Sequence, residues 1–233
     1  SKINFFGFIE GNDINKGIVD VVVTDGFSGN IALKTAEGVA ELIVSFLQSA
    51  YKSSIISKVG YLLSKPALNR FKKRIDPRKY NDFKNYELIH TQEFIKSDDE
   101  PVNALRKLKK SSLRLAVNDV ADGKSHGLVS AGNTGALMAI SKFVLKTING
   151  VNRPAIAGLM PTLKGEIVIL DLGANIECTH INLVQFALMG ETFAKALLGI
   201  KSPKIGILNV GSEEIKGNAI VKKTFEDLEK LSS

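Results

Sequence analysis

Apolar residues recur along this chain with two different spacings, and the alternation between them sets out the elements. Val19, Val21, Val22 and Val23 form a β-branched run long enough for a buried strand. Thr24-Asp25-Gly26-Phe27-Ser28-Gly29-Asn30 follows, with two glycines and an Asn marking a tight loop. Leu33, Ala36, Ala40, Ile43, Val44 and Leu47 then repeat at helical spacing, predicting a helix from Ile31 to about Tyr51. Strand, glycine loop and helix N-terminus together aim backbone N–H groups at an anion. A plain βα turn, whose glycines only permit tightness, explains a single such loop more economically.

The pattern returns three times. His126–Val129, Glu166–Leu170 and Lys204–Leu208 predict strands. They lead into Ser130–Gly135, Asp171–Asn175 and Asn209–Asn218, and then into helices at Ala136–Lys146, about Asn182–Leu198 and from about Ala219. Lys2–Ile9, Glu87–Phe94 and Asn152–Thr162 predict further strands, and Val102–Asp122 one basic helix. Repeated βα units argue for an α/β fold, a mostly parallel sheet covered by helices on both faces. Ligands of such sheets bind beyond the carboxyl ends of the strands.

Ser53–Arg74 has a different character. Ile55, Ile56, Val59, Leu62 and Leu63 are apolar at helical spacing, and Lys58, Lys65, Lys72 and Lys73 lie between or beside them. Pro66 predicts a break into two short helices. A basic amphipathic hairpin suits an anionic membrane surface or an acidic protein; a surface helix pair packed on its own core or on a second subunit fits equally well. Asp76–Tyr86 is polar and turn-rich and reads as a linker or segment join. The 233 residues therefore read as a single α/β domain from which 52–75 protrudes.

Composition narrows the partners. A formal net charge of +7 favours an acidic or phosphorylated one. The chain has no Trp, and its basic clusters are not interleaved with aromatics, which argues against nucleic acid. No apolar run approaches the roughly 18–20 residues that span a bilayer. The single Cys178 excludes an internal disulfide framework and fits a reducing cytoplasm. Three His and one Cys show no zinc spacing, so neither a metal nor a cofactor is expected.

The loops carry the candidate chemistry. Asn provides two donors and one acceptor, and converging N–H groups and amides can bind phosphate or an oxyanion. Lys216 is the one lysine inside these glycine loops, placed to neutralise phosphate charge or simply solvated. No Gly-x-Gly-x-x-Gly follows a strand, and neither a Walker loop nor a Gly-x-Ser-x-Gly elbow occurs. His126 and Cys178 read as structural residues. The chemistry left is transfer to or from phosphate by positioning and electrostatics.

The blocks SAGNTGALMA (130–139), RPAIAGLMPT (153–162), LDLGANIECT (170–179), NVGSEEIKGN (209–218) and VVVTDGFSGNIALKTAEG (21–38) resemble those of bacterial phosphate acyltransferases of the PlsX type. The resemblance extends over 62–81 and 90–116, and so over nearly the whole chain. It implies a three-layer α/β/α sandwich similar to the isopropylmalate dehydrogenase and phosphotransacetylase architecture. It also implies transfer of a fatty acyl group from acyl carrier protein to inorganic phosphate, giving acyl phosphate for phospholipid synthesis, by a cytoplasmic homodimer associated peripherally with the membrane. On this reading Lys216 and Asn30 are catalytic. Asp25, Gly26, Ser28, Gly29, Ser130, Gly132, Asn133, Thr134, Asp171 and Asn175 bind phosphate or substrate, and Ile56, Val59, Leu62 and Leu63 touch the membrane. Alternatives are a phosphotransacetylase-like or decarboxylating dehydrogenase enzyme of the same architecture, or an inactive fragment that binds membrane or carrier protein.

The order of blocks differs from that family, where the SAGNTG block comes early and the TDGFxGN block late. Residues 82–233 are thus expected to precede 1–81 in the family's order, with the family's opening strand, its Met-Gly-Gly-Asp loop and its closing stretch absent. That order predicts Ser1 and Ser233 as neighbours, the Val19–Val23 and Lys204–Leu208 strands in one parallel sheet, and a poorly packed join at Asn81–Asp82.

Overall fold

The computed structural model describes residues 2–75, 87–213 and 215–232, with only the backbone of 67–75. Its elements are β1 (Asn4–Ile9), α1 (Gly11–Ile14), β2 (Val21–Val23), α2 (Gly26–Lys52), α3 (Ile55–Ile75), α4 (Pro101–Lys107), α5 (Ser112–Ala121), α6 (Thr134–Val144), β3 (Ala157–Thr162), β4 (Gly165–Leu170), α7 (His180–Leu198), β5 (Lys204–Leu208) and α8 (Ala219–Ser232). The strands form one sheet in the order β1-β5-β2-β4-β3. The first four are parallel, and β3 alone runs antiparallel, against β4. This is the expected α/β architecture, a mostly parallel sheet with helices packed on it in the manner of a three-layer α/β/α fold.

The valines of β2 show why the sheet sits where it does. Successive side chains point to opposite faces, and all three are fully buried. Val21 and Val23 join Val168, Leu170, Ile205 and Ile207 against Leu183 and Phe186 of α7 and Leu228 of α8. Val22 joins Ile9, Val19, Ile167 and Ile169 on the opposite face, with Ile14 of α1. Gly190 lets α7 lie close, because a Cβ there would run into Val21 and Leu170. Helices α4, α5 and α6 bury a cluster of their own, made by Ala104, Leu113, Val117, Ala136 and Ile140.

The chain divides into two compact units, Ser1–Leu33 with Thr91–Ser233, and Lys34–His90. Within the second, the Tyr51 and Tyr61 rings pack at a tilt with centroids 5.2 Å apart, and the Ser64 hydroxyl reaches the Tyr51 hydroxyl at 3.5 Å. Apolar side chains on α2 (Val39, Leu42, Ile43, Phe46) and on α3 (Ile55, Ile56, Val59, Leu62, Leu63) are exposed.

Five elements differ from expectation. Helix α2 begins at Gly26, so the expected loop shrinks to Thr24-Asp25. Gly26 and Gly29 are buried in its first turns, where their lack of a Cβ permits close packing. Residues 126–129 form no strand: Val129 is fully exposed, and a strand needs a neighbour to satisfy its backbone. His126 therefore opens no strand. Residues 87–94 are also irregular, held by side chains instead of a ladder: the Thr91 hydroxyl donates to the Lys110 carbonyl at 2.7 Å, and Glu93 accepts from the Lys110 N–H at 3.0 Å. The single helix 102–122 is two, because Ser111 caps α5 by accepting from Arg114 N–H while its hydroxyl donates to Leu108. In the opposite sense, α3 continues through Pro66 where a break was expected.

The linker 76–86, the Asn81–Asp82 join, Ser1 and Ser233 lie outside the described residues. Close to the chain ends, the Ile3 N–H donates to the Leu231 carbonyl at 3.3 Å. Phe225 of α8 packs on Phe5 and Phe8 of β1, with ring centroids 5.3 and 4.7 Å apart. Strands β2 and β5 are parallel neighbours, as the block order predicts.

Candidate active site

Four parallel strands point the same way, so the loops after β2, β4 and β5 gather at one end of the sheet. The antiparallel β3 begins at this end, since Ala157 pairs with Leu170. Its entering segment, Arg153–Ile156, thereby joins the same loops.

Asp171 is the centre of this region. It is fully buried. Oδ1 accepts from Ile156 N–H at 2.9 Å and Ala174 N–H at 3.1 Å, and Oδ2 from Asn175 N–H at 2.7 Å and Asn175 Nδ2 at 2.8 Å. Asn175 Nδ2 also donates to the Pro154 carbonyl at 2.8 Å. Asp171 and Asn175 thus fasten the β4 loop to the segment entering β3. The Cys178 thiol, buried beside them, is pushed up by burial and further by the Asp171 and Asp25 carboxylates, which keeps it protonated.

Other polar loop residues cap helices. Asp25 accepts from Ser28 N–H and from the Ser28 hydroxyl, both at 2.9 Å, at the start of α2. Asn133 accepts from Ala136 N–H at 2.9 Å at the start of α6, and its amide donates to the carbonyls of Lys96, Ser97 and Asp99. Ser130 accepts from Gly132 N–H at 3.1 Å. Asp25 and Asn133 thereby satisfy first-turn N–H groups that have no partner within the helix, whereas the Ser130 bond stays in the loop before α6.

Two clefts open here. The first, of about 380 Å³, is walled by Thr134, Gly135, Met138, Lys142, Arg153 and Asn175, among others. The second, of about 610 Å³, includes Asp25, Ser28, Arg153, Cys178, Thr179 and Asn218. The expected residues Thr134 and Asn175 therefore share the first cleft, and Asp25 and Ser28 the second. Asn30 is exposed, lies against Gly173 of the first cleft, and has no side-chain hydrogen bond among the described residues. Lys216 walls neither cleft. It pairs with Glu213 at 2.8 Å in the loop after β5, and that hydrogen bond holds its pKa above the usual lysine value, so it is cationic at neutral pH. Asn209 shapes this loop by donating to the carbonyls of Gly211 at 3.0 Å and Lys216 at 3.2 Å.

The model of the fatty acid synthesis protein family matches residues 1–84 and 82–233, both parts of the chain. The chain belongs to the fatty acid synthesis protein family. This family member is similar to the phosphate acyltransferase of Paramagnetospirillum magneticum, at 57% identity over 133 residues, covering 57% of this chain and 38% of that protein. The phosphate acyltransferase of Magnetococcus marinus is 48% identical over 148 residues, 64% of this chain and 42% of the relative. That of Coxiella burnetii (strain RSA 331) is 52% identical over 141 residues, 60% and 41%. The chain spans about two fifths of the length of the curated relatives it matches. The family resemblance carried by the sequence blocks is therefore established.

The residue of this family member that the sequence reading passed over is Arg153, which borders both clefts. Its signal was the short link Leu163-Lys164 between β3 and β4. Two residues can join only antiparallel strands, which turns the start of β3 toward the loops.

Proposed function

We propose that the protein is an acyltransferase that moves a fatty acyl group from acyl carrier protein to inorganic phosphate, giving acyl phosphate for phospholipid synthesis. Membership of the family supports this reading, and phosphate acyltransferase is what its curated relatives are called. The observation that carries it is the gathering of the family's loop blocks at one end of the sheet, with cationic Lys216 in the loop after β5 and Asn30, which has no side-chain hydrogen bond among the described residues, in the first turns of α2 after the neighbouring β2. A phosphate oxygen attacks the thioester carbonyl, the C–O bond forms as the C–S bond breaks, and the thiol takes up the proton that phosphate loses. Lys216 holds phosphate charge, and Asn30 donates to the developing oxyanion. Gly132, Asn133 and Thr134 floor the site; Asp25, Gly26, Ser28, Gly29, Ser130, Asp171 and Asn175 hold its loops in place.

The test is acyl-phosphate formation from acyl carrier protein thioester and phosphate. Lys216→Ala and Asn30→Ala are each expected to lower kcat/KM by about 100-fold, the loss typical of removing one oxyanion or charge donor. Near-normal turnover in both variants overturns the assignment. Turnover with a short-chain acyl thioester of a small free thiol in place of the carrier thioester would instead favour a phosphotransacetylase-like enzyme.

The exposed Ile56, Val59, Leu62 and Leu63, flanked by Lys58 and Lys65, support peripheral attachment to an anionic membrane. Among the described residues no helix is long and apolar enough to cross a bilayer. The same apolar surface also suits the contact of a homodimer. In flotation with anionic vesicles, Leu62→Asp with Leu63→Asp is expected to abolish binding, and high salt to weaken that of the unaltered chain, at about 1 kcal/mol per basic residue near the surface. Flotation unchanged by the double substitution refutes membrane contact at this helix.

A further inference from the structure

We infer that the first cleft takes an anionic head carried on an aliphatic chain, with Arg153 holding the head. This deepens the proposed activity and rests on its anion chemistry. The cleft's wall contains two cations, Arg153 and Lys142, and no carboxylate. Neither cation has an ion-pair partner within 4.0 Å among the described residues, whereas Lys216, Lys124 and Lys195 all do. Two unneutralised cations facing one cavity attract an anion, and a cleft without acidic residues does not oppose it.

Arg153 is also held in place. Nη1 donates to the Glu177 carbonyl at 3.1 Å, which fixes one edge of the guanidinium. Its remaining N–H groups stay in a planar fork, the geometry that binds phosphate or carboxylate through two parallel bonds. The backbone beneath it is fastened by the Pro154 carbonyl to Asn175 and by Ile156 N–H to Asp171. The second cleft, which shares Arg153, adds the carboxylates of Asp25 and Glu177, so it repels an anion that the first accepts.

The rest of the first cleft is apolar. Pro101, Met138, Ala139, Pro154 and Ile156 lie in its wall. A bare phosphate leaves this surface in water, whereas an alkyl chain on the anion covers it. The ligand class is therefore an alkyl or acyl phosphate, or a fatty carboxylate, and two arms of one experiment separate the heads.

The full chain is titrated by calorimetry with hexylphosphonate, hexanoate and inorganic phosphate. Hexylphosphonate is expected to bind more tightly than inorganic phosphate, and Arg153→Gln to weaken it at least about tenfold, the loss that goes with a charge-assisted hydrogen bond. Arg153→Lys, which keeps the charge and loses the fork, is expected to fall between. Hexanoate binding as tightly as the phosphonate assigns a carboxylate head. Circular dichroism melting confirms that the variants are folded. Equal affinity of the unaltered chain and Arg153→Gln for hexylphosphonate overturns the inference, as does absence of binding to the unaltered chain. If Arg153-dependent binding is found but no acyl phosphate is made, the anion site stands and the proposed reaction falls. If acyl phosphate is made and Arg153→Gln leaves the KM for phosphate and phosphonate binding unchanged, the reaction stands and the role of Arg153 falls.

Discussion

Asp171→Ala is expected to cost about 4 kcal/mol of stability, since a buried donor left without its acceptor costs about 1–3 kcal/mol and this side chain serves four. Three backbone N–H groups, of Ile156, Ala174 and Asn175, and the Asn175 amide all end on its two oxygens. Water admitted to the space recovers part of the loss, which is why the sum is not larger. Because a domain is stable by only about 5–15 kcal/mol, the variant sits near the edge of folding. Asp171→Asn has the same shape and keeps one carbonyl oxygen, but turns an NH₂ toward two donors; about 2 kcal/mol is expected. Urea unfolding reads both. A midpoint for Asp171→Ala within about 1 kcal/mol of the unaltered chain, on the ordinary dependence of stability on denaturant, would show that other groups hold these loops.

Gly29→Ala is expected to destabilise by about 3 kcal/mol, the upper part of the range for forcing atoms into a packed site. Helix propensity alone predicts the opposite sign, a gain of about 1 kcal/mol for replacing glycine inside a helix. The difference lies in what an added Cβ meets. At Gly29 it falls on the Asp171 carbonyl oxygen and the Thr24 methyl. Both belong to the β2–β4 ladder: Thr24 N–H donates to Leu170, and Asp171 N–H to Thr24 at 2.9 Å. Neither can retreat without breaking that ladder. Gly38 lies on the same helix and faces open space. Gly38→Ala therefore isolates the propensity term and is expected to stabilise. Melting temperatures that move in the same direction for both variants would remove close packing as the reason for Gly29.

These two residues also show where sequence reading worked and where it stopped. The β-branched runs located β2, β4 and β5, because a buried parallel strand needs uninterrupted apolar residues and little else. Composition makes loop formers of the glycines after β2, since it reports what a glycine permits and not what lies beside it. Their neighbours, Asp171 and Asn175, are more than 140 positions away along the chain. The Asn and Asp residues of the loops lie at the end of the sheet where the clefts open, but most of their hydrogen-bonding capacity turns inward. Asn133 makes three donations to a segment more than 30 residues distant, which no local pattern reports. His126–Val129 had the composition of a strand and lacked a neighbour to pair with. The direction of β3, and with it the place of Arg153, was legible in the two-residue link to β4, a signal outweighed by the repeated βα pattern around it.

The pairing of β1 with β5 has a consequence for how the chain finds its fold. Asn4 lies beside Lys204, so this contact closes a loop of about 200 residues. Loop-closure entropy rises as the logarithm of length, and ordering so long a loop costs about 5 kcal/mol before the contact returns anything. A connection of about 30 residues, the span of β5, α8 and β1 taken in succession, would cost about 3 kcal/mol. The Ile3–Leu231 hydrogen bond and the edge-on and tilted ring contacts of Phe225 span the same two ends of the chain. Val21 lies beside Ile205, so β2 closes a loop of nearly the same length on β5, and once either strand has docked the other follows across a link of only about a dozen residues. The two strands therefore share one long closure, and a shorter path between the two ends of the chain is expected to raise the rate of that single step.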